Sequence, residues 1–278
     1  MAEIKEEIEQ LQNHGDMSVG DHINEFRSRL IRCIIALVAF AIVAFILKDD
    51  IINIVFGPTN SDFISNKLFC RLAKLVEVDA LCINQNMVTL VNTKMAGQFN
   101  LHIKMAFISS LILVVPYILY ELWQFIRPAL SAQVQSKSRT LVLQISLWFF
   151  TGLFFGYFIV APLAVNFLTN YEVSDQITNM IEVSSYLSSV MGVSLACGLT
   201  FQLPLLVKLL ASIGLINSVM MKTYRRFAFI IILIISSIIT PPDVFSQILV
   251  AVPLYFLYEY GITITKKIEK NRAETENE

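Results

Sequence analysis

Charged side chains are scarce in this sequence. They make up 15% of its 278 residues, whereas soluble domains carry about 25%. Hydrophobic residues make up 55%, which is more apolar surface than a soluble fold of this size could bury. The composition therefore excludes an ordinary soluble domain and predicts a protein that lies in lipid. The net charge is only −1, so nothing in it favours nucleic acid as a partner.

Patterns that carry enzymatic chemistry are also missing. The sequence has no phosphate-binding glycine loop, no metal-ligand spacing and no nucleophile elbow, so we predict neither an enzyme nor a cofactor or metal site. Of the four cysteines, Cys33 and Cys197 lie in apolar runs and are predicted to be packing residues. Cys70 and Cys82 share one polar loop, where a disulfide is possible if the loop faces an oxidising compartment. Spacing alone does not establish that disulfide.

Long apolar runs dominate what is present. Backbone groups in hydrocarbon must be hydrogen-bonded internally, and the runs lack the alternation of barrel strands, so we predict helices. The last two runs are shorter than the about 20 residues that usually cross a bilayer. We predict an all-α, polytopic membrane protein. Its six transmembrane helices span approximately residues 31–47, 103–126, 141–168, 187–213, 227–240 and 244–260.

Basic residues are concentrated in every second connector between these runs. They precede the first span, separate the second from the third and the fourth from the fifth, and follow the sixth, whereas residues 169–186 contain none. The long connector 48–102 carries both signs, but long loops cross largely regardless of charge. The positive-inside rule therefore places both termini in the cytoplasm and the long connector outside. The chain divides into an N-terminal extension (1–20), a membrane domain (21–265) and a cytoplasmic tail (266–278).

Polar and bend-forming residues inside the spans are the next feature. Gln144, Gln202 and Gln247 are the deepest side-chain amides, and such groups are costly in lipid. Hydrogen bonding between helices is the more ordinary interpretation; the alternative is that Gln202 lines a polar concavity. Prolines bend helices, which favours a curved, cupped body over a straight bundle. The prolines inside spans are Pro116, Pro162, Pro204 and Pro253.

Two glutamates lie near the predicted cytoplasmic ends of spans. Glu121 belongs to the second span and Glu259 to the sixth. We expect both to be solvated at the membrane interface and to pair with Arg127 and Lys266.

Three stretches together resemble one family. "DHINEFRSRLIRCIIAL" resembles its cytoplasmic opening, "VVPYILYELWQFIRPAL" its second helix and first cytoplasmic loop, and "ITPPDVFSQILVAVPLYFLYEYGI" its last hairpin. The family is TatC, the multispan receptor subunit of the twin-arginine translocase. The resemblance runs in order from about Asp21 to Lys267, and the last hairpin is its most specific part.

The resemblance implies both a fold and a function. The implied fold is a cupped bundle of six helices with the last two short. Members of the family bind the twin-arginine signal peptides of precursors already folded in the cytoplasm, and they support proton-gradient-driven export. The implied partners are those signal peptides, TatA- and TatB-like single-span subunits, further copies of the chain and membrane lipid. The implied location is the bacterial cytoplasmic (inner) membrane.

The resemblance also points to site residues. Glu25 occupies the family's amino-terminal glutamate position, so we predict that it receives an arginine of the signal peptide, because a carboxylate accepts paired hydrogen bonds from a guanidinium. Arg27 and Arg29 occupy the neighbouring basic positions and by resemblance shape the signal-binding surface. Without the resemblance, the residues favour a simpler interpretation. In it, Arg27, Arg29 and Arg32 determine topology and Glu25 is their ion-pair partner.

Two positions depart from the family pattern. The first cytoplasmic loop usually carries a glutamate that contacts the twin arginines, whereas "PALSAQVQSKSRTLV" has no acid and offers Gln133 or Gln135 as the nearest substitute. The fourth helix commonly carries a glutamate where this chain has Gln202, which cannot titrate. We hypothesise relaxed signal recognition, in which Glu25 shares the task with the glutamates of the second and sixth spans. A receptor of reduced activity is the alternative.

The last hairpin and the outer connector complete the predictions. Asp243 is expected to cap the sixth helix. With Gln202, Gln247 and Glu259 it is predicted to form a polar concavity for a partner helix. The outer segment 68–82 has helical spacing and is expected to form a local lid, with a docking surface as the alternative.

Two rival functions stay open on sequence grounds. A small-solute secondary transporter would need ionisable residues near the midplane and repeated, broken helices, whereas the deep polar groups here are amides. A membrane enzyme acting on lipid would need a clustered acid, base or metal at one interface, and the sequence shows no such cluster.

Overall fold

The computed structural model describes residues 19–60, 62–77, 82–83, 89–126, 138–174, 176, 179–241 and 243–276. This part of the chain is mainly helical, which confirms the predicted all-α class. Two short strands, β1 (Leu90–Val91) and β2 (Ile181–Glu182), pair in parallel. The α-helices are α1 (Val19–Ile46), α2 (Lys48–Val55), α3 (Ile64–Val76), α4 (Gly97–Ile126), α5 (Ser138–Phe155), α6 (Ala161–Asn170), α7 (Val183–Thr200), α8 (Leu203–Ser212), α9 (Ser218–Thr223), α10 (Arg225–Ile239) and α11 (Val244–Glu276).

Within the described ranges, five helical stretches are long and apolar enough to cross a membrane. They correspond to the first four predicted spans and the sixth. The predicted fifth span is α10, which has 15 residues and is shorter than the about 20 that a bilayer usually requires. The chain is therefore a multi-pass membrane protein, while the sixth crossing and the cytoplasmic termini stay predictions. The five stretches are Ile23–Ile46, Gly97–Ile126, Val142–Asn170, Val183–Ser212 and Val244–Glu274.

Glycines let the third and fourth spans approach closely. A Cβ at Gly152 would lie 2.6 Å from the carbonyl oxygen of Cys197, and one at Gly156 would lie 2.8 Å from the Cα of Ser194. The two glycines form the G-x-x-x-G pattern with which membrane helices bring their backbones together. Since lipid supplies no hydrophobic force between helices, this close packing is what holds α5 against α7.

The four span prolines have different local effects. A π-helical turn, Gly156–Val160, precedes Pro162 and joins α5 to α6. The helix is interrupted between α7 and α8, immediately before Pro204. Pro116 and Pro253 instead lie inside continuous helices, α4 and α11. The regular α-helical pattern is thus lost beside two of the four prolines and kept at the other two.

The helices α10 and α11 form an antiparallel hairpin around a shared core. Ile232 of α10 packs with Val250 and Leu254 of α11 in one buried cluster. Nε2 of Gln247 donates to the carbonyl of Leu233 at 3.1 Å and so ties the two helices together.

The last helix is longer than predicted. We expected a short span at 244–260 followed by a tail, but α11 continues without interruption for 33 residues to Glu276. The expectation of a short last helix is corrected on this point. The reason is local: the residues after the apolar half are mostly Lys, Glu, Arg and Ala, which favour helix.

Contacts with the preceding segment hold the polar half of α11. The backbone N–H and Oγ of Ser218 donate to Glu269 at 2.7 and 2.5 Å. Nη2 of Arg272 donates to the carbonyl of Ser212 at 2.9 Å. Between them, Gly214 adopts a φ of 80°, a left-handed conformation that closes the end of α8 and suits glycine. The loop from α8 to α9 therefore lies along α11.

The connector 48–102 contains helices of its own. The helix expected near its cysteines is α3, and a Cys70–Cys82 disulfide joins this helix to the chain that follows. Oη of Tyr186 in α7 donates to the carbonyl of Val55 at 2.9 Å, which holds the end of α2 against the bundle. The disulfide that the sequence left open is thus present, as suits a connector facing an oxidising compartment.

Candidate functional site

An ion-pair network joins α1 to α4. Nε and Nη2 of Arg29 donate to Oε1 of Glu25, one turn earlier on α1, at 3.1 and 2.6 Å. Nη1 of the same guanidinium donates to Oε2 of Glu121 on α4 at 2.8 Å. The fold therefore brings three of the predicted site residues together, with one cation held between two carboxylates.

Glu121 is buried rather than solvated as expected. Its side chain is 7% exposed and its ion-pair partner is Arg29; Arg127, the partner expected from the sequence, lies outside the described residues. Oη of Tyr117 donates to Oε1 of Glu121 at 2.9 Å, so both carboxylate oxygens have donors. A buried carboxylate is tolerated when it is paired and hydrogen-bonded, and this one meets both conditions.

One carboxylate oxygen of Glu25 has no hydrogen-bond donor among the described residues. Oε1 takes both hydrogen bonds from Arg29, whereas Oε2 is buried and receives no donor from the described residues. A buried acceptor without a donor is costly, so Oε2 is ready to accept an N–H group from a ligand. The simpler interpretation of the sequence, in which Glu25 pairs with an arginine of its own helix, is confirmed for Arg29.

A groove of about 250 Å³ lies between α1 and α4 beside this network. Arg29 and Glu121 line it at one place, and the remaining wall is almost entirely apolar. The rings of Phe26 and Phe125 meet across the two helices with centroids 5.5 Å apart. The groove can therefore hold an apolar segment of a ligand whose cationic group lies beside the ion-pair network. Its other apolar lining residues are Leu30, Ile34, Leu37, Leu111, Ile118 and Leu122.

Of the other predicted signal-binding residues, the structure describes Arg27, which makes no contact with this network. Arg27 is exposed on α1, two residues from both Glu25 and Arg29, and residues two apart do not share a helix face. Gln133 and Gln135 lie outside the described residues. The geometry thus concentrates the described acidic groups of the predicted site at the α1–α4 contact.

Gln202 lies at the interruption between α7 and α8. Its Nε2 donates to the carbonyl of Ile145 in α5 at 2.9 Å, so it connects helices as the ordinary interpretation expected. Its Oε1 is buried and has no donor among the described residues. The amide is therefore both a structural link and a source of one unused acceptor.

Asp243 lies immediately before α11, whereas Glu259 lies near the middle of that helix. Oδ1 of Asp243 accepts from the backbone N–H of Ser246 at 2.8 Å, which confirms the predicted cap. Oε2 of Glu259 accepts from Nη2 of Arg225 at 2.6 Å, so its described ion-pair partner is Arg225 and not the expected Lys266. Glu259 comes 16 residues after Asp243, the residue that caps the same helix, or roughly 24 Å along its axis. The structure does not bring them together as one polar site.

Sequence reasoning missed Tyr117 and the α1–α4 groove. Tyr117 lies four residues before Glu121, a spacing that places both side chains on one face of a helix. That spacing was the available signal. The groove had no comparable signal, because it depends on how two helices pack.

The chain resembles known proteins over most of its length. A family model described as Sec-independent protein translocase protein (TatC) matches residues 21–253. A protein of that name from Blattabacterium, strain BPLAN, is 36% identical over 260 residues, which cover 92% of this chain and 98% of that protein. Another, from Escherichia coli K12, is 33% identical and covers 88% of this chain and 86% of that protein. A crystal structure of the twin-arginine translocase receptor TatC matches with a TM-score of 0.69 at 29% identity, covering 88% of this chain and 99% of that one.

Proposed function

Because the chain belongs to the TatC family of Sec-independent protein translocase proteins, we propose that it is the receptor subunit of a twin-arginine translocase. In this role it binds the twin-arginine signal peptides of folded precursors and supports their proton-gradient-driven export. Relatives named as translocase proteins favour this function over the small-solute transporter.

Glu25 and Glu121 are the proposed receivers of the twin arginines. The observation that carries this assignment is the spare Oε2 of Glu25, beside a guanidinium that already lies between both carboxylates. Arg29 demonstrates that a guanidinium fits between the two acids. An incoming guanidinium has five N–H donors and takes up the unused acceptor. Residues 127–137, which follow α4, contain no acid, so these two glutamates supply the negative charge.

The apolar groove is the proposed site for the part of the signal peptide that follows the arginines. Signal peptides combine a positive region with a short apolar region. The groove offers the matching order, with a polar network beside a wall of leucine, isoleucine and phenylalanine. One continuous surface of α1 and α4 therefore serves both parts of the peptide.

The proposed setting is the bacterial inner membrane, with both termini cytoplasmic. Single-span TatA- and TatB-like subunits and further copies of the chain are the proposed partners. Only 6% of the residues in the apolar part of the first span are buried within the chain, so most of α1 is available to lipid or to such partners. Gln202, which has an unused acceptor, and Gln247 are the proposed polar contacts for a partner helix.

Calorimetric binding of a twin-arginine peptide to the purified protein tests this function. Glu25→Gln and Glu121→Gln should each weaken binding by about tenfold or more, because a hydrogen bond to a charged group contributes about 1.5–3 kcal/mol. Glu172→Gln is the matched control, since Glu172 is an exposed acid in a different connector. A twin-lysine peptide should bind more weakly than the twin-arginine peptide, because an ammonium lacks the planar fork.

Two results would reject the assignment. Equal affinity for the two peptides would remove the argument from guanidinium geometry, and unchanged affinity in both glutamine variants would remove the two carboxylates. Independently, the chain should restore export of a folded reporter in a strain that lacks its own receptor. Failure of export with intact peptide binding would indicate a receptor of reduced activity.

A further inference from the structure

A cluster of exposed basic side chains lies where α9, α10 and α11 meet. It lies about 20 residues along the chain from Gln202 and from Gln247, and it belongs to different helices from the α1–α4 groove. Two of its members open α10, where the positive end of the helix dipole adds to their charge. The cluster consists of Lys222, Arg225, Arg226, Lys266 and Lys267.

Two lysines of this cluster face each other. Ser218, one turn before Lys222, donates to Glu269 of α11 at 2.7 and 2.5 Å. Lys266 precedes Glu269 by one turn, and α9 runs antiparallel to the outgoing α11, so Lys222 and Lys266 meet one turn nearer the membrane. Contact with the Lys266 ammonium and its repulsion lower the pKa of Lys222 below its ordinary value. Two ammonium groups in contact are unfavourable unless an anion lies between them.

The neighbouring carboxylates supply that anion only in part: the charge of Glu269 raises the pKa of Lys222, but less than Lys266 lowers it. Both oxygens of Glu269 accept from Ser218. Oε2 of Glu259 accepts from Arg225, and its Oε1 is buried with no donor from the described residues, including the two lysines. The lysine pair therefore keeps an excess of positive charge, which Glu269 offsets only in part.

Exposed apolar side chains lie close to Lys222 along the chain. Val219 is 70% exposed, Tyr224 51% and Phe227 62%, and the Tyr224 and Phe227 rings lie 6.0 Å apart. Aromatic rings next to basic residues are typical of the level of lipid headgroups. We propose that Lys222 and Lys266 bind the phosphate of an anionic phospholipid, whose acyl chains cover the neighbouring apolar surface. A free phosphate ion would match the two ammonium groups but would leave that surface uncovered.

Native mass spectrometry of the purified full-length protein with equimolar phosphatidylglycerol and phosphatidylcholine tests the proposal. The wild-type chain should retain phosphatidylglycerol in preference. The double variant Lys222→Gln/Lys266→Gln should retain about thirtyfold less, since each basic group near a membrane surface contributes roughly 1 kcal/mol of attraction and about 1.4 kcal/mol corresponds to a factor of ten. The matched control is Lys48→Gln/Lys67→Gln, which removes the same charge from exposed positions of the connector 48–102.

A charge reversal separates lipid loss from unfolding. Lys222→Glu places a carboxylate against Lys266, so the melting temperature in neutral detergent should stay the same or rise while phosphatidylglycerol retention falls. The proposal is overturned if the glutamine double variant retains as much phosphatidylglycerol as the wild type. It is also overturned if inorganic phosphate at the lipid's concentration displaces the lipid, because the site would then recognise a free anion.

Discussion

Replacing Arg29 by methionine would leave two carboxylates without their shared cation. Arg29→Met keeps much of the side-chain length but removes three hydrogen bonds of 2.6, 2.8 and 3.1 Å. Removing one partner of a buried ion pair costs about 3–5 kcal/mol. The side chains of Arg29 and Glu25 are 19% and 24% exposed, so water compensates in part. We therefore expect a loss of about 3 kcal/mol in the free energy of unfolding.

Unfolding by SDS in mixed micelles measures this free energy. Arg27→Met is the matched control, because Arg27 is exposed on the same helix; it should change stability by no more than about 0.5 kcal/mol. In the triple variant Arg29→Met/Glu25→Leu/Glu121→Leu no uncompensated charge remains, so most of the lost stability should return. The reasoning is refuted if Arg29→Met costs no more than Arg27→Met, or if the triple variant is less stable than Arg29→Met alone.

Three further predictions concern other parts of the molecule. Gly152→Ala should lower the melting temperature, because its Cβ would lie 2.6 Å from a backbone carbonyl, whereas Gly192→Ala meets no atom within 4 Å and should not; equal melting temperatures would contradict this. Asp243→Ala should lose about 1 kcal/mol in SDS unfolding while Asp243→Asn retains the cap, and equal losses would show that the cap is unimportant. Because the pKa of Lys222 is lowered in the folded state, its charged form destabilises the protein at neutral pH, and this penalty disappears as the pH rises through that lowered pKa. The advantage of Lys222→Gln in melting temperature, measured in neutral detergent, should therefore shrink towards alkaline pH; a pH-independent difference would contradict the repulsion.

The helices of the bundle were predictable because lipid imposes them. Apolar runs in hydrocarbon must be helical, and the first four predicted spans and the apolar half of the sixth lie in observed helices. The cap at Asp243 was equally local, since an acid after a proline turn and before an apolar run is a typical helix start. The length of α11 was not predicted, because hydropathy reports where the lipid ends and not where the helix ends.

The candidate site could be predicted only in part, because its geometry depends on contacts between distant residues. Glu25 and Arg29 were both selected, and their one-turn spacing makes their pairing local. The burial of Glu121 follows instead from the packing of α1 on α4, which the sequence does not report. The partner of Glu259 was wrong for the same reason: Arg225 reaches it across the α10–α11 hairpin, whereas Lys266 faces Lys222. Gln133 and Gln135 lie outside the described residues and stay predictions.

The unbroken course of α11 has a mechanical consequence. Its 33 residues make a rod about 50 Å long, some 20 Å more than the thickness of the hydrocarbon layer. The extra length extends beyond the hydrocarbon layer as a continuous helix, which the Ser218 and Arg272 contacts hold in place. In the proposed orientation this extension lies on the cytoplasmic side, so a folded precursor would dock beside it rather than lie flat over the helix bundle.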